Sequence, residues 1–530
     1  MSTPPSSHDG VGHQDLEASK AIVTINEQEK HQYGTSTPAD EYIRARGLQS
    51  TFAPLRALNQ GEQWLDRKLG IETQGIDRIP EHKKQPPSIL NIFLLWWGAT
   101  CHVGTVPIGA LGPLFGLPLG ESIAAIVVGT WIGALCPAFC GTLGPKLGLR
   151  AIATSRYSFG FYGAKLCACL SIIVAGGFGV VNIVITGQLL SAVSDYKMTV
   201  SVGCIIVTLI SYLVCIFGFR WVHTFLKYCW IISFILLLVL VGQAAPHAGA
   251  SLPGFSTGVA HAGSWLSIFS IAISSTAGWA SFAADYYCNY AANTSTWKVF
   301  LLTQFGAALP IMFATIVGAV IANAALLGQV EPWYTTYGTY GLGGLIRETY
   351  SPLGWSKFCL VMLTFSVLGN NVVIFYSSGL ALQFLGDYFH AVPRFIWSFL
   401  AAVALAALSI AGKEHLSAII SNFVSMLGYW AVAFTIILLL EDRYFRRKTG
   451  YNLEAWDTPS KLPWGLAALF TLCTGYLCGG LMGMSQVWYM GPIARKFGPY
   501  GGDVGFFLTA AITLIVYPVA RHAELKFTGR

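Results

Sequence analysis

From about Asn91 to Tyr517 the chain is a near-unbroken succession of apolar stretches of roughly 20 residues. That is the length a helix needs to cross the hydrocarbon core of a bilayer. Lipid supplies no hydrogen bonds, so a spanning segment of this kind must satisfy its backbone internally, as a helix does. The pattern predicts an all-α polytopic membrane protein. Composition agrees: 54% of the 530 residues are hydrophobic and only 11% are charged, a balance that cannot clothe a soluble domain.

Counting windows of spanning length gives about twelve transmembrane helices, at about 89–110, 121–143, 166–192, 199–218, 224–245, 264–285, 299–327, 355–386, 393–411, 415–440, 463–486 and 503–521. With the N-terminus in the cytosol, Lys146, Arg150, Arg156, Lys165, Arg220, Lys227, Lys298, Arg394, Arg443, Arg446, Arg447, Lys448 and Lys461 all fall on one side. The other side has chiefly Lys197, Arg347, Lys357, Lys413, Arg495 and Lys496. The asymmetry places both termini in the cytosol, as an even number of spans requires.

Residues 1–85 are a different material, rich in Ser, Thr, Pro, Glu and Lys up to Asp40, and read as a disordered cytosolic tail ahead of a transmembrane domain at 86–525. The tail lacks the charged and apolar regions of a cleavable signal peptide, so the first span is expected to serve as the targeting element. The formal charge of +7 is that of basic loops beside an anionic leaflet and calls for no nucleic-acid partner. The twelve cysteines lie almost entirely within spans and form no paired motif at zinc spacing, which suits small apolar core residues. Without a Walker A sequence, a His/Glu metal pair or a nucleophile elbow, neither an ATP-driven pump nor an enzyme is indicated, and no cofactor or metal is implied.

Function must then be read from helix breaks and buried polar groups. The first span runs from Gly98-Ala99-Thr100 into His102, Gly104, Thr105, Pro107 and Gly109, a density of helix-breakers that frees backbone groups to line a site. The sixth span carries Ser274-Ser275-Thr276-Ala277-Gly278-Trp279-Ala280-Ser281 and ends at Asp285. Two interrupted spans five apart are the mark of two inverted five-helix repeats, at about 89–245 and 264–440, that hold substrate between discontinuous helices at the midplane. Two extra helices at about 463–521 would follow.

Buried amides supply the polar side of such a site. Asn182 and Gln188 lie in span three and Asn370-Asn371 in span eight. An amide in hydrocarbon is costly unless paired, so it faces either a cavity or another helix. It both donates and accepts, which suits a heterocycle whose edge alternates N–H and C=O groups. Phe178 stands one helical turn before Asn182, and Trp279 sits at the sixth-span break; together they would give a flat ligand two faces to stack on.

Taken together, Gly278 to Tyr286, Gly179-Val180-Val181-Asn182 with Gly187-Gln188-Leu189-Leu190, Leu111-Gly112-Pro113 and Asn370-Asn371 resemble the nucleobase-cation symport family, nearest its fungal purine-cytosine permease branch. The resemblance covers roughly residues 80–525. It implies a LeuT-like fold of ten core helices plus two, and proton-coupled import of a purine, cytosine or related nucleobase across the plasma membrane. By position, Trp279 resembles the stacking aromatic of span six, Phe178 stands where relatives have a tryptophan, and Asn182 matches the base-binding amide. Asn370 and Asn371 match the paired amides of span eight, and Thr105 stands where a serine is common. The chain departs from cytosine-transporting relatives in reading Asn370-Asn371-Val372-Val373-Ile374 where they add a proline and a third amide, and Ser281-Phe282 where they have Pro-Tyr. Vitamin B6 (pyridoxine), carried by members of the same branch, or another small heterocycle is the alternative substrate.

Two expectations concern the cycle. A sodium site in this fold needs neighbouring hydroxyls on span eight, and here Thr364-Phe365-Ser366 turns its two hydroxyls to different helix faces, which favours protons as the coupling ion. Asp285, near the cytosolic end of span six, is either a solvated flank or a gating residue paired with a cation from another loop. Small heterocycle, proton and bilayer are the partners implied; the sequence fixes no oligomeric state.

Overall fold

The computed structural model describes residues 78–84, 86–217, 219–249, 251–386, 388–389 and 392–530, all within one compact unit. The expected tail, up to residue 77, lies outside the described residues. Residues 78–84, the end of that expected tail, are packed: Ile79 is buried and donates to the Gly148 carbonyl, while Arg78 and Lys84 reach the carbonyls of Leu147 and Pro145.

Apart from one isolated two-residue bridge, the described elements are helices. Among the described residues, ten helices are long and apolar enough to cross a membrane: Leu119–Leu147, Arg156–Val193, Tyr228–His247, Gly258–Tyr286, Thr296–Leu326, Leu353–Gln383, Arg394–Gly412, Leu416–Phe445, Leu466–Gly483 and Gly505–Thr528. A bent pair, Leu90–Thr100 with Val103–Leu114, forms span one, and the shorter apolar helix Val200–Ile216 forms span four. Each of the twelve expected positions therefore holds an apolar helix among the described residues, eleven of them of spanning length when the bent pair is taken as one.

Span one is broken as its composition predicts, turning by 61° between its halves. His102 is extended there, and Pro107 opens the second half in the first turn, where proline's missing N–H costs nothing. That second half presses against span seven so closely that a Cβ on Gly109 would lie 1.7 Å from the Thr315 carbonyl oxygen, and one on Gly318 1.9 Å from that of Val106. Small residues at a membrane helix contact permit this approach.

Span six departs from expectation. Gly278 and Trp279 keep right-handed helical dihedrals, and only the hydrogen bonding tightens, with Trp279 N–H donating to the Thr276 carbonyl. A membrane helix tolerates glycine while its neighbours keep it straight, so this interruption is a change of helical pitch and not a sharp break.

The connection between spans seven and eight contains the helix Trp333–Thr349, kinked at Gly341 where φ is +69°. Its buried Leu342, Leu345, Ile346 and Thr349 recur at helical spacing.

The bundle has two unlike faces. On one, the basic face, Lys146 pairs with Asp442 at 2.6 Å, Arg156 with Asp457, and Glu441 with Arg446 at 2.8 Å and Arg521 at 3.0 Å. Arg78 and Arg530 both bond to this face. On the other, Asp195 holds Arg347 at 2.8 Å and Lys357 at 2.5 Å.

Candidate functional site

Where span one breaks, spans three, six, seven, eight and ten close around a small cavity of about 20 Å³. Phe178 and Trp279 both line it, their ring centroids 6.3 Å apart and planes inclined by only 22°. The cavity has room on the order of one or two water-sized spheres, and a heterocycle would have to spread these rings.

The rim is set by a relay of amides whose orientation can be worked out from one end. The Ala99 carbonyl at the end of the first half-helix can only accept, so the Asn370 amide nitrogen faces it, at 2.6 Å. That turns Asn370 Oδ1 toward span three, where it accepts from Asn182 Nδ2 at 2.9 Å. Asn182 is left with a carbonyl oxygen and a second N–H. It therefore offers an acceptor and a donor side by side, the complement of a heterocycle edge that alternates N–H and C=O. The oxygen lies directly over Gly104, where a Cβ would meet it at 2.0 Å.

Thr105 also lines the cavity, but its hydroxyl donates to the His102 carbonyl at 2.9 Å. His102 is buried, and its Nδ1 accepts from the Gly104 N–H at 3.1 Å, which fixes the turn of the break. The remaining walls are Ile108, Val181, Ser275, Ile311 and Val424.

Of the residues singled out in the sequence, Phe178, Asn182, Trp279, Asn370 and Thr105 meet at this one cavity. Asn371 does not line it. Its side chain is fully buried, and neither amide atom has a hydrogen-bond partner among the described residues. Gln188 lies elsewhere, accepting from the Gly343 N–H at 3.1 Å and so pinning the kinked helix Trp333–Thr349 to span three. His102, Ser275, Ile311 and Val424 were not foreseen as wall residues; for His102 the signal was its place inside the break, while an isoleucine or valine in an apolar span carries none.

Two further cavities flank the site. A vestibule of about 610 Å³ opens toward the face opposite the basic one, between the second half of span one, the kinked helix and the start of span ten, with Gln188, Tyr337, Tyr340, Lys413 and Glu414 on its walls. A cavity of about 30 Å³ lies toward the basic face, lined by Arg150, Ser281, Phe282, Asp285 and Phe384 among others. Asp285 accepts from the Ala151 N–H at 2.7 Å, tying the end of span six to the short helix Ala151–Thr154.

A polytopic bundle whose first span is broken over a buried cavity has the architecture of a membrane carrier. Comparison with known proteins narrows the class. Residues 78–484 match the family described as permease for cytosine/purines, uracil, thiamine, allantoin. A vitamin B6 transporter of Saccharomyces cerevisiae is 33% identical over 92% of this chain and 94% of its own length. A purine-cytosine permease of Emericella nidulans is 35% identical over 88% of this chain and 92% of its own. Among solved structures, a nucleobase-cation-symport-1 family transporter in a closed conformation, with bromovinylhydantoin bound, has the same fold at a TM-score of 0.65 and 11% identity, covering 86% of this chain and 96% of that one. The chain belongs to the family of permeases for cytosine/purines, uracil, thiamine and allantoin. It is a transporter of small heterocycles and not an enzyme.

Proposed function

We propose that this chain is a proton-coupled symporter that brings a purine, cytosine or related nucleobase into the cell across the plasma membrane by alternating access, with both termini cytosolic. The observation that carries the reading is the pair of near-parallel rings, Phe178 and Trp279, beside an Asn182 amide left with one acceptor and one donor. Stacking on both faces with a hydrogen-bonded edge is what a flat polar ring needs, and few other solutes use such a slot. Asn371 joins the proposed site as a buried amide able to swing toward substrate when the slot opens.

Proton coupling is supported on span eight. Thr364 and Ser366 stand two residues apart on the helix, and each hydroxyl donates back to its own turn, to Leu360 at 2.9 Å and Leu363 at 2.6 Å. They present no paired oxygens to a sodium ion, which prefers several hard oxygen ligands. Uptake should collapse with a protonophore and ignore replacement of external sodium; the reverse result overturns the coupling.

The vestibule would be the entrance from outside, with the basic face toward the cytosol. Its floor and the slot's roof are neighbours along two helices: Pro107 and Ile420 line the vestibule, Ile108 and Val424 the slot. On the cytosolic side Asp285 would act as a gating residue through its bond to Ala151.

A second substrate, vitamin B6, is favoured by the third amide missing after Asn371 and by the 33% identity to the yeast vitamin B6 transporter. A radiolabelled uptake panel of cytosine, adenine, hypoxanthine, uracil, allantoin, pyridoxine and thiamine decides. Uptake of a nucleobase with no competition by pyridoxine supports the first reading, pyridoxine uptake alone the second, and uptake of none sinks both.

A further inference from the structure

The buried carboxylates among the described residues are Glu441, Asp442, Asp503 and Glu524. Three of them are ion-paired, Glu441 with Arg446 and Arg521, Asp442 with Lys146, and Glu524 with Arg521. Asp503 is only 1% exposed, and its hydrogen bonds are all from neutral donors. A buried charge without a countercharge is expensive and tends to neutralise by binding a proton.

Asp503 lies in the connection between spans eleven and twelve, on the face opposite the basic one. Its Oδ1 accepts from Ser270 Oγ of span six at 3.1 Å and from the Gly505 N–H at 3.1 Å. Its Oδ2 accepts from the Tyr429 hydroxyl of span ten and from Gln486 Nε2 at 3.3 Å. The Asp503 N–H donates to Ser267 Oγ at 3.2 Å. One residue thus clasps spans six, ten and twelve. The seam it closes leads to the substrate: one turn beyond Ser270, Ser274 packs on Gly428, and the next residue, Ser275, meets Val424 in the wall of the slot.

We propose that Asp503 is the proton-binding carboxylate of the transport cycle, an assignment that rests on the proton-coupled reading above. The chemistry of the clasp says what a proton would do. It bonds to Oδ1 or Oδ2, and that oxygen must then donate. The Gly505 N–H cannot accept, whereas the Ser270 and Tyr429 hydroxyls can turn round and do so, as can the Gln486 amide by flipping its unpartnered Oε1 toward the carboxyl. Protonation therefore reverses the Ser270 or Tyr429 bond or turns the Gln486 amide, and loss of the proton restores the arrangement.

Burial pushes the Asp503 carboxyl up to about 6, against the opposing hydrogen bonds from Tyr429, Gly505 and Ser270. The proton is bound below that pH and released above it. Other titratable groups stand on the elements packed round the clasp. Tyr429 donates to it, and Tyr476 lies against the Tyr429 ring at 6.0 Å. Farther along are Arg495 and Lys496, both exposed, and His261 of span six, which is bound to Glu121 at 2.5 Å and to Ser256. None of these cations is among the Asp503 partners.

The test is uptake against external pH, with substrate-driven proton entry, in cells expressing the full chain and scored for surface level. Wild-type uptake should rise as pH falls through about 6. Asp503→Asn should flatten that profile and abolish substrate-driven proton entry at normal surface level. Tyr429→Phe removes a donor that favours the charged carboxylate, so it should move the midpoint to higher pH, and it serves where Asp503→Asn does not reach the surface. An Asp503→Asn variant that keeps the wild-type profile and proton flux overturns the assignment. So does an unmoved midpoint in Tyr429→Phe, or a profile flattened by His261→Gln while Asp503→Asn retains it. If wild type itself is indifferent to protonophore, the coupling reading fails; if wild type is proton-coupled and Asp503→Asn is unchanged, only Asp503 is wrong.

Discussion

Asn182 and Asn370 are coupled by a hydrogen bond that also anchors them to the broken helix, so replacing either should disturb the same rim. Asn182→Ala removes the free acceptor and donor, a desolvated contact of about 1–3 kcal/mol, which raises the apparent Km about tenfold. A fluorescently tagged variant should still reach the surface. Normal surface level with unchanged Km in both Asn182→Ala and Asn370→Ala would remove these residues from the site. Asn371 behaves differently because both its amide atoms are buried without partners, a state that costs about 1–3 kcal/mol. Asn371→Leu should therefore raise the melting temperature of the detergent-solubilised protein while lowering uptake; a lowered melting temperature would mean that Asn371 is interhelical glue. The sequence could mark the Asn370-Asn371 pair but not divide its labour, since neighbours on a helix point about 100° apart and only packing decides which one meets the cavity. Phe178 and Asn182 were legible because a spacing of four puts them on one face. The Asp503 clasp was not legible, because Ser270, Tyr429 and Asp503 are brought together by tertiary packing alone.

At the scale of elements, span positions follow from hydropathy, since bilayer thickness fixes helix length. The kinked helix Trp333–Thr349 was missed because it lies outside any apolar run, with only its four-residue buried stripe to betray it. The geometry of each break needed the structure: the residues of span one allow a turn of 61°, whereas the Gly278 segment of span six stays helical. Span ten begins with a π-turn at Ile420–Val424, a form often found at functional positions, and this turn is the partition between vestibule and slot. Within it, Phe423 seats its ring where a Cβ on Gly177 would stand, 1.6 Å from the ring carbon. Gly177→Ala should unseat Phe423 and cut uptake severely, and adding Phe423→Ala should restore much of it, because the second change removes the clash that the first creates. Losses that simply add would show that Gly177 and Phe423 act independently.

Over the whole molecule, the alternating-access reading proposed above and the large vestibule among the described residues make the basic face the closed side. The closed side is held by contacts between elements that must separate if substrate is to leave there: Asp285 to Ala151, Lys146 to Asp442 and Arg156 to Asp457. Each of the two ion pairs has one buried member, Asp442 or Arg156, whose charge would lose its countercharge, so Asp285, which bonds a backbone N–H beside the 30 Å³ cavity, is the cleaner lever. Asp285→Asn weakens the acceptor without changing the shape of the residue, and it should shift the population toward the conformation open to the basic face. Two reporter cysteines read that shift, Ser417→Cys in the vestibule and Ser377→Cys beside the opposite cavity, each compared with the parent chain to allow for native cysteines. With Asp285→Asn, labelling of Cys at 417 by a membrane-impermeant thiol reagent should fall in whole cells, and labelling at 377 should rise in inside-out vesicles. The transport rate should change while the ranking of competing substrates stays the same, because Asp285 does not line the slot. An altered ranking at normal rate would place Asp285 in the binding site, and unchanged labelling at both positions would leave the basic-face closure to the ion pairs instead.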